Sequence, residues 1–165
     1  MGAGKSSVGR CLQQRTGLAR VDTDKIVSAR LTYSIPEIFS RHGETRFRDA
    51  ETRALRDLAL DRQSIIVTGG GIVLRPENVD LLKRLGILVW LEADEETLFE
   101  RATRKRDRPL LQTAHPRATF FELLQNRVPL YAKVADVRVD TSKLTCDEVA
   151  DVILNKIDGF IPTRK

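Results

Sequence analysis

Cysteine, histidine and aromatic residues are all scarce in this 165-residue chain, which has two Cys, two His, six Phe, two Tyr and one Trp. Cys11 and Cys146 stand far apart in the sequence with no His cluster beside them, which excludes a zinc-finger spacing and a disulfide framework. They read as two small buried residues of a reducing compartment. No run approaches the roughly 18 consecutive apolar residues of a membrane span, and no charged segment followed by an apolar stretch opens the chain, so no membrane partner is expected and the cytoplasm is the default location. The net charge of +5 leaves nucleic acid or small anions as partners. Without aromatics interleaved among the basic residues, base stacking has no platform, so no nucleic acid is expected. The arginines stand singly beside glycines, prolines and aspartates, a distribution that suits small anionic ligands. The length fits one domain over 1–165, and no repeat, linker or low-complexity segment divides it.

What is present begins at the first residues. Gly2-Ala3-Gly4-Lys5-Ser6-Ser7 reads as the second half of the phosphate-binding pattern G-x-x-x-x-G-K-[ST]. Its backbone N–H groups can wrap a β-phosphate, Lys5 can reach the β and γ oxygens, and the Ser6 hydroxyl can ligate Mg²⁺. The first glycine of the pattern and the buried strand before it would fall upstream of Met1. Four apolar strand residues at about 1.5 to 3 kcal/mol each amount to roughly 6 to 12 kcal/mol, comparable with a typical net stability of about 5 to 15 kcal/mol. The reading therefore expects Met1 to be an internal methionine, preceded by roughly ten residues.

Along the chain the pattern predicts a helix over 7–15 opening inside the phosphate motif, a short strand over 18–21, and a helix to about 30 that Asp24 can cap. A short helix over 36–41 and an amphipathic one over 47–60 follow, the latter carrying Ala50, Ala54, Leu55, Leu58 and Ala59 on one face. Ile65-Ile66-Val67 reads as a strand buried on both faces that empties into Gly69-Gly70-Gly71. A helix over 76–85, a strand over 87–91 and a helix from Asp94 to about 103 come next. Residues 104–117, interrupted by Pro109 and Pro116, read as a mobile loop rather than core. The helix from about 118 meets Pro129, which should kink or end it. A strand over 137–139 and a last helix to 157, boxed by Thr145 and Glu148, complete the chain. This alternation predicts an α/β fold with a parallel sheet and helices on both faces.

Asp22 and Asp24 lie two apart at a strand end, so an extended backbone would point both at the same face. Beside a phosphate loop, one carboxylate can hold Mg²⁺ through water and the other can accept a proton from an attacking hydroxyl. Capping alone is the plainer role for Asp24, and the two roles can coexist.

The phosphate loop, Asp22-Thr23-Asp24, Phe47-Arg48 with Glu51, Gly69-Gly70-Gly71, Arg108-Pro109-Leu110-Leu111, and Arg127 followed by Pro129-Leu130-Tyr131 together resemble the shikimate kinase family, in order and approximate spacing over essentially the whole chain. The resemblance implies a P-loop NTPase three-layer sandwich of the nucleoside-monophosphate-kinase-like type, with the N-terminal strand outside this chain. It implies transfer of a phosphoryl group from Mg·ATP to the 3-hydroxyl of shikimate by a monomer. Arg48 and Arg127 match the carboxylate-binding arginines, Asp24 the hydroxyl-binding aspartate, Gly70 and Gly71 the backbone contact to substrate, and Asp22 with Ser6 the Mg²⁺ positions. Lys5, Asp24 and Arg108 then form the catalytic set, Arg108 lies on a lid at about 104–118, and Arg101 lies near the adenine. The substrate-binding segment spans about 31–62. Arg104, Lys105 and Arg106 read as a solvated basic face, and the 142–146 loop lacks the arginine and proline that some relatives carry. Another small-molecule kinase on this fold, such as a gluconate or nucleotide kinase, and a non-catalytic effector-binding domain stay as alternatives. Two guanidinium forks argue against the first and retention of Lys5, Asp22, Asp24 and Arg108 together against the second.

Overall fold

The computed structural model describes residues 1–58, 62–104 and 108–158. The face of the predicted 47–60 helix at Ala59, and Lys105 and Arg106 of the basic stretch, lie outside them.

Helix α1 (Lys5–Thr16) begins where the phosphate motif predicts, with Gly4 in the left-handed region (φ 81°) as its N-cap and Gly17 (φ 70°) closing it. Strand β1 (Ala19–Asp22) leads into α2 (Thr23–Leu31), and here the pattern reading is corrected. Asp22, not Asp24, caps the helix, accepting from the Lys25 N–H at 3.3 Å. Helical geometry sets in at Thr23, so Asp24 sits in the first turn instead of on a continuing strand.

Helix α3 (Ile35–Arg56) merges the two predicted helices, and Gly43 (φ 75°, ψ 172°) interrupts its geometry between them. Strand β2 (Ser64–Val67) runs through the glycine triplet into a 3-10 turn (Ile72–Leu74) that the sequence did not announce. Helix α4 (Pro76–Leu85), strand β3 (Val89–Glu92) and helix α5 (Glu95–Thr103), capped by Asp94, follow the predicted pattern.

Two expectations for the next segment change. Pro109–Leu111 forms a 3-10 turn whose Leu111 is buried against Ala3, Leu98 and Phe120, so this part of the loop belongs to the core. Helix α6 (Pro116–Val134) starts at Pro116 and does not end at Pro129 but continues through it. Proline removes one ladder bond there, but Phe120, Leu124 and Arg127 before it are buried, and Leu130, Tyr131 and Val134 after it pack on the cluster of Leu55, Ile72, Val73 and Leu82, so both halves are held by packing. Strand β4 (Val137–Asp140) and helix α7 (Cys146–Ile157), with the Thr145–Glu148 capping box, end the described fold.

All strand pairing is parallel, β1 with β2 and β3 with β4. Among the described residues the two pairs share no ladder, and a cavity of about 900 Å³ is lined by Ile66 and Val67 of β2, Trp90 and Leu91 of β3, and Val8 and Leu12 of α1. One further parallel strand in that slot would join the pairs into a single sheet. Among the described residues, no helix is long and apolar enough to cross a membrane.

Both cysteines are free, and of the two expected to be buried only one is. Helices α1 and α7 pack side by side and bring Cys11 and Cys146 together, with Cys11 buried and Cys146 only half-buried.

Phe120, 1 % exposed, packs edge-on to Phe99 (5.3 Å) and Phe121 (5.5 Å) and ties α5, α6 and the Pro109–Leu111 turn to Ala3 of the phosphate loop. Phe120→Ala is expected to lower the unfolding free energy by about 3 to 5 kcal/mol, read from urea melts. A loss below about 1 kcal/mol would mean that this cluster does not anchor the loop.

Candidate active site

The phosphate loop is built from backbone. Gly2 (φ 76°) and Gly4 (φ 81°) take conformations that favour glycine, and a Cβ on Gly2 would strike the Leu98 carbonyl oxygen. Gly4 caps α1 without a side chain, and no acidic residue occupies the first turn, so the positive end of α1 is presented bare. The hydroxyl-bearing Ser6 is exposed on that turn.

Positive charge gathers in front of the loop. Burial first, then the charge of Arg108, holds Lys5 below the ordinary lysine range, with Arg127 adding to the effect and Asp24 and Asp22 opposing it. Arg127 is 4 % exposed, yet its Nε and Nη2 have no hydrogen-bond partner, and neither does Nε of Arg108. Buried guanidinium donors normally find acceptors. Three cationic side chains, two of them with spare guanidinium donors, define a place for polyanionic ligands.

Opposite them stands an acidic pair around the glycine triplet. A Cβ on Gly69 would lie 2.9 Å from both Asp24 Oδ1 and Glu51 Oε1, two buried oxygens that also lack partners. Burial, reinforced by Asp22, raises the Asp24 carboxyl above the usual carboxylate range. Burial raises Glu51 as well, although Arg48 pulls the other way. The Arg48 guanidinium donates to Glu51 Oε2 (2.8 Å) and to Glu44 Oε1 (2.9 and 3.1 Å), and its Cζ lies 2.5 Å from where a Gly71 Cβ would be. Only glycine lets that guanidinium lie flat against the chain. The Tyr131 hydroxyl donates to the Gly70 carbonyl, and the Arg127 Nη1 lies 3.9 Å from a Gly70 Cβ position.

The fold thus brings Lys5, Asp24, Arg48, Gly70, Gly71, Arg108 and Arg127 around one region, the set expected from the sequence. Two residues behave differently. Arg48 is already engaged by two carboxylates. Arg101 donates to the Thr141 hydroxyl (3.1 Å) and to the Thr141 and Ser142 carbonyls (3.0 and 3.3 Å), so its guanidinium holds the loop after β4. Glu51, Glu44 and Tyr131 were not singled out as site residues. The helical i, i+3 and i, i+4 spacing of Glu51 and Glu44 from Arg48 was the available signal.

Hard oxygen donors for a magnesium ion are present. Ser6 is exposed, Asp22 Oδ2 lies 3.8 Å from the Arg20 guanidinium, and both aspartates act on Lys5. This donor set fits Mg²⁺.

Glycine-built loop, buried lysine, acid pair and unpartnered arginines on a parallel α/β scaffold define a P-loop phosphotransferase. Residues 1–158 match the family described as shikimate kinase. The shikimate kinase of Thermodesulfovibrio yellowstonii is 42% identical over 158 residues, covering 96% of this chain and 91% of that protein. That of Bordetella pertussis is 42% identical over 160 residues, covering 97% and 76%. A solved shikimate kinase from Acinetobacter baumannii, in complex with shikimate, superposes with a TM-score of 0.92 at 35% identity, covering 100% of this chain and 91% of that one. The chain belongs to the shikimate kinase family.

The strained acids set a stability prediction. A carboxyl raised in the folded state contributes most at acid pH, and that contribution is lost as pH rises through the folded value. Asp24→Asn is therefore expected to melt roughly 2 to 4 °C higher than the parent at neutral pH without ligand, the gap closing below about pH 4. Thermal melts across pH check this, and an unchanged or lower neutral melt would refute it.

Proposed function

We propose that this chain transfers the γ-phosphoryl group of ATP to the 3-hydroxyl of shikimate, giving shikimate 3-phosphate and ADP. The observation that carries this is the facing arrangement of unpartnered groups: Asp24 Oδ1 on one side, Arg127 Nε and Nη2 and Arg108 Nε on the other. An acid oxygen for a hydroxyl and a guanidinium fork for a carboxylate are what a small hydroxy acid requires.

In this reading the triphosphate lies on the backbone of Gly2, Ala3 and Gly4 and on Ser6 and Ser7 at the start of α1. Arg127 takes the shikimate carboxylate, aided by Arg48, whose orientation Glu44 and Glu51 fix. The backbone of Gly70 and Gly71 lies against the ring. Asp24 orients the 3-hydroxyl and accepts its proton as that oxygen bonds to the γ-phosphorus and the bond to the β–γ bridging oxygen breaks. Its raised carboxyl suits a proton acceptor better than a strongly ionised one does. Lys5 and Arg108 neutralise the charge spreading over the transferring group. Ser6 and Asp22 would hold Mg²⁺, which when bound supplies further neutralisation of the phosphate oxygens. Arg101 acts by keeping the loop at Thr141–Ser142 in place beside the nucleotide.

We further take 1–165 as one kinase domain, with a substrate segment at about 31–62 and a closing lid at about 104–118, working as a monomer in the cytoplasm on small molecules, without nucleic acid or membrane. The buried Leu111 makes the second half of that lid a hinge anchored in the core.

The test is ADP release with shikimate, gluconate and nucleoside monophosphates offered in parallel. Shikimate alone should drive it, and a folded protein with no shikimate-dependent release rejects the assignment. Asp24→Asn is expected to lower turnover by roughly 10² to 10⁴ with ATP binding nearly intact. Arg127→Ala should raise the KM for shikimate roughly 10- to 150-fold, the loss of hydrogen bonds to a charged group.

A further inference from the structure

On the side of the molecule where α1 meets α7, Cys11, Cys146 and Asp147 place one ligand atom each within 4.8 Å of one another. We propose that these three side chains form a binding site for one soft divalent cation of the zinc and cadmium type, separate from the magnesium of the nucleotide site.

The geometry is close to what such an ion needs. Metal–sulfur bonds of about 2.3 Å and metal–oxygen bonds of about 2.0 to 2.2 Å at tetrahedral angles put ligand atoms roughly 3.5 to 3.8 Å apart. Cys146 Sγ is already 3.9 Å from Asp147 Oδ2. The remaining closure, at most about 1 Å, falls on half-buried Cys146 and exposed Asp147, which can turn while Cys11 stays seated in the packed face of α1. Both mobile ligands lie in the first turn of α7, whose start the Thr145–Glu148 capping box fixes.

The surroundings complete the site. Arg15 Nη2 lies 3.5 Å from Asp147 Oδ1, leaving Oδ2 for the ion, and Arg15 also pairs with Asp151 on the next turn. An arginine on the non-ligating oxygen orients the carboxylate as outer partners do in metal sites. Two thiolates and a carboxylate against a divalent ion leave one negative charge, which Arg15, shared with Asp151, partly offsets. The two thiol protons pass to solvent as the metal–sulfur bonds form. Sulfur donors select zinc or cadmium over magnesium, and a water molecule can serve as the fourth ligand.

The consequence is mechanical. Helix α1 begins at the phosphate loop, and α7 follows the loop that Arg101 holds. A bound ion would tie the middle of α1 to the first turn of α7.

The experiment is a Cd²⁺ titration of the whole chain with a phosphine reductant and excess Mg²⁺, following the ultraviolet cadmium–thiolate charge-transfer band and the melting temperature. The expected result is a band saturating at one ion per chain, with a higher Tm. Cys146→Ser should abolish the stabilisation while melting like the parent without cadmium, and Cys11→Ser should do the same to the band. Asp147→Asn should weaken binding at least about tenfold while keeping the two-thiolate band. No band in folded parent protein, saturation at two ions per chain, competition by Mg²⁺, or a Cys146→Ser variant that still gains stability would each overturn the proposal.

Discussion

The mutual exposure of Lys5, Arg108 and Arg127, three cations kept largely out of water, is the constraint around which the rest of the molecule is arranged. Like charges in a low-dielectric pocket repel, and unpartnered guanidinium donors carry a desolvation cost that their own protein does not offset. Such a cluster persists only because helices α1 and α6 and the Pro109–Leu111 turn are fixed by apolar packing that does not depend on the charges. Phosphate and carboxylate ligands are the groups that relieve it. The acid pair has the same character with the opposite sign: Asp24 and Glu51 keep oxygens free that an optimally stable protein would have hydrogen-bonded.

These opposed clusters make the site a device that gains from being filled. Each ligand group that arrives replaces a repulsion or an unmet donor, so binding energy is available for orienting the reacting hydroxyl against the phosphoryl group. The glycine triplet serves the same end from the backbone side. Side chains at Gly69 and Gly71 would occupy the space of Asp24, Glu51 and Arg48, and the clusters could not approach one another.

Much of this was legible in the residues. The phosphate loop, the helix starting at Pro76 and the capping box at Thr145 are local signals, and local physical chemistry decides them. The family followed from the order of short motifs over the whole chain, with Asp24, Arg108 and Arg127 among them. What escaped was decided by contacts between distant segments. Pro129 sits inside α6 because packing on both sides outweighs one lost hydrogen bond, and no window around it records that packing. Leu111 is core because Ala3 and Phe120 meet it. Cys11 and Cys146 are 135 positions apart and become neighbours only through the pairing of two helices. Glu51 was quoted with Arg48, but its fully buried, half-paired state is a property of the assembled site.

The way Arg101 grips the loop after β4 bears on how this surface can change over time. Two of its three contacts reach main-chain carbonyls, of Thr141 and Ser142, which every amino acid possesses. A loop clamped by its backbone leaves Lys143 and Leu144 free to vary, while Ser142, whose hydroxyl accepts from the Asp94 N–H and donates to Asp140, and Thr145, which caps α7, are held by their own side chains. The shape of that loop is thus set from elsewhere, by a single arginine on helix α5.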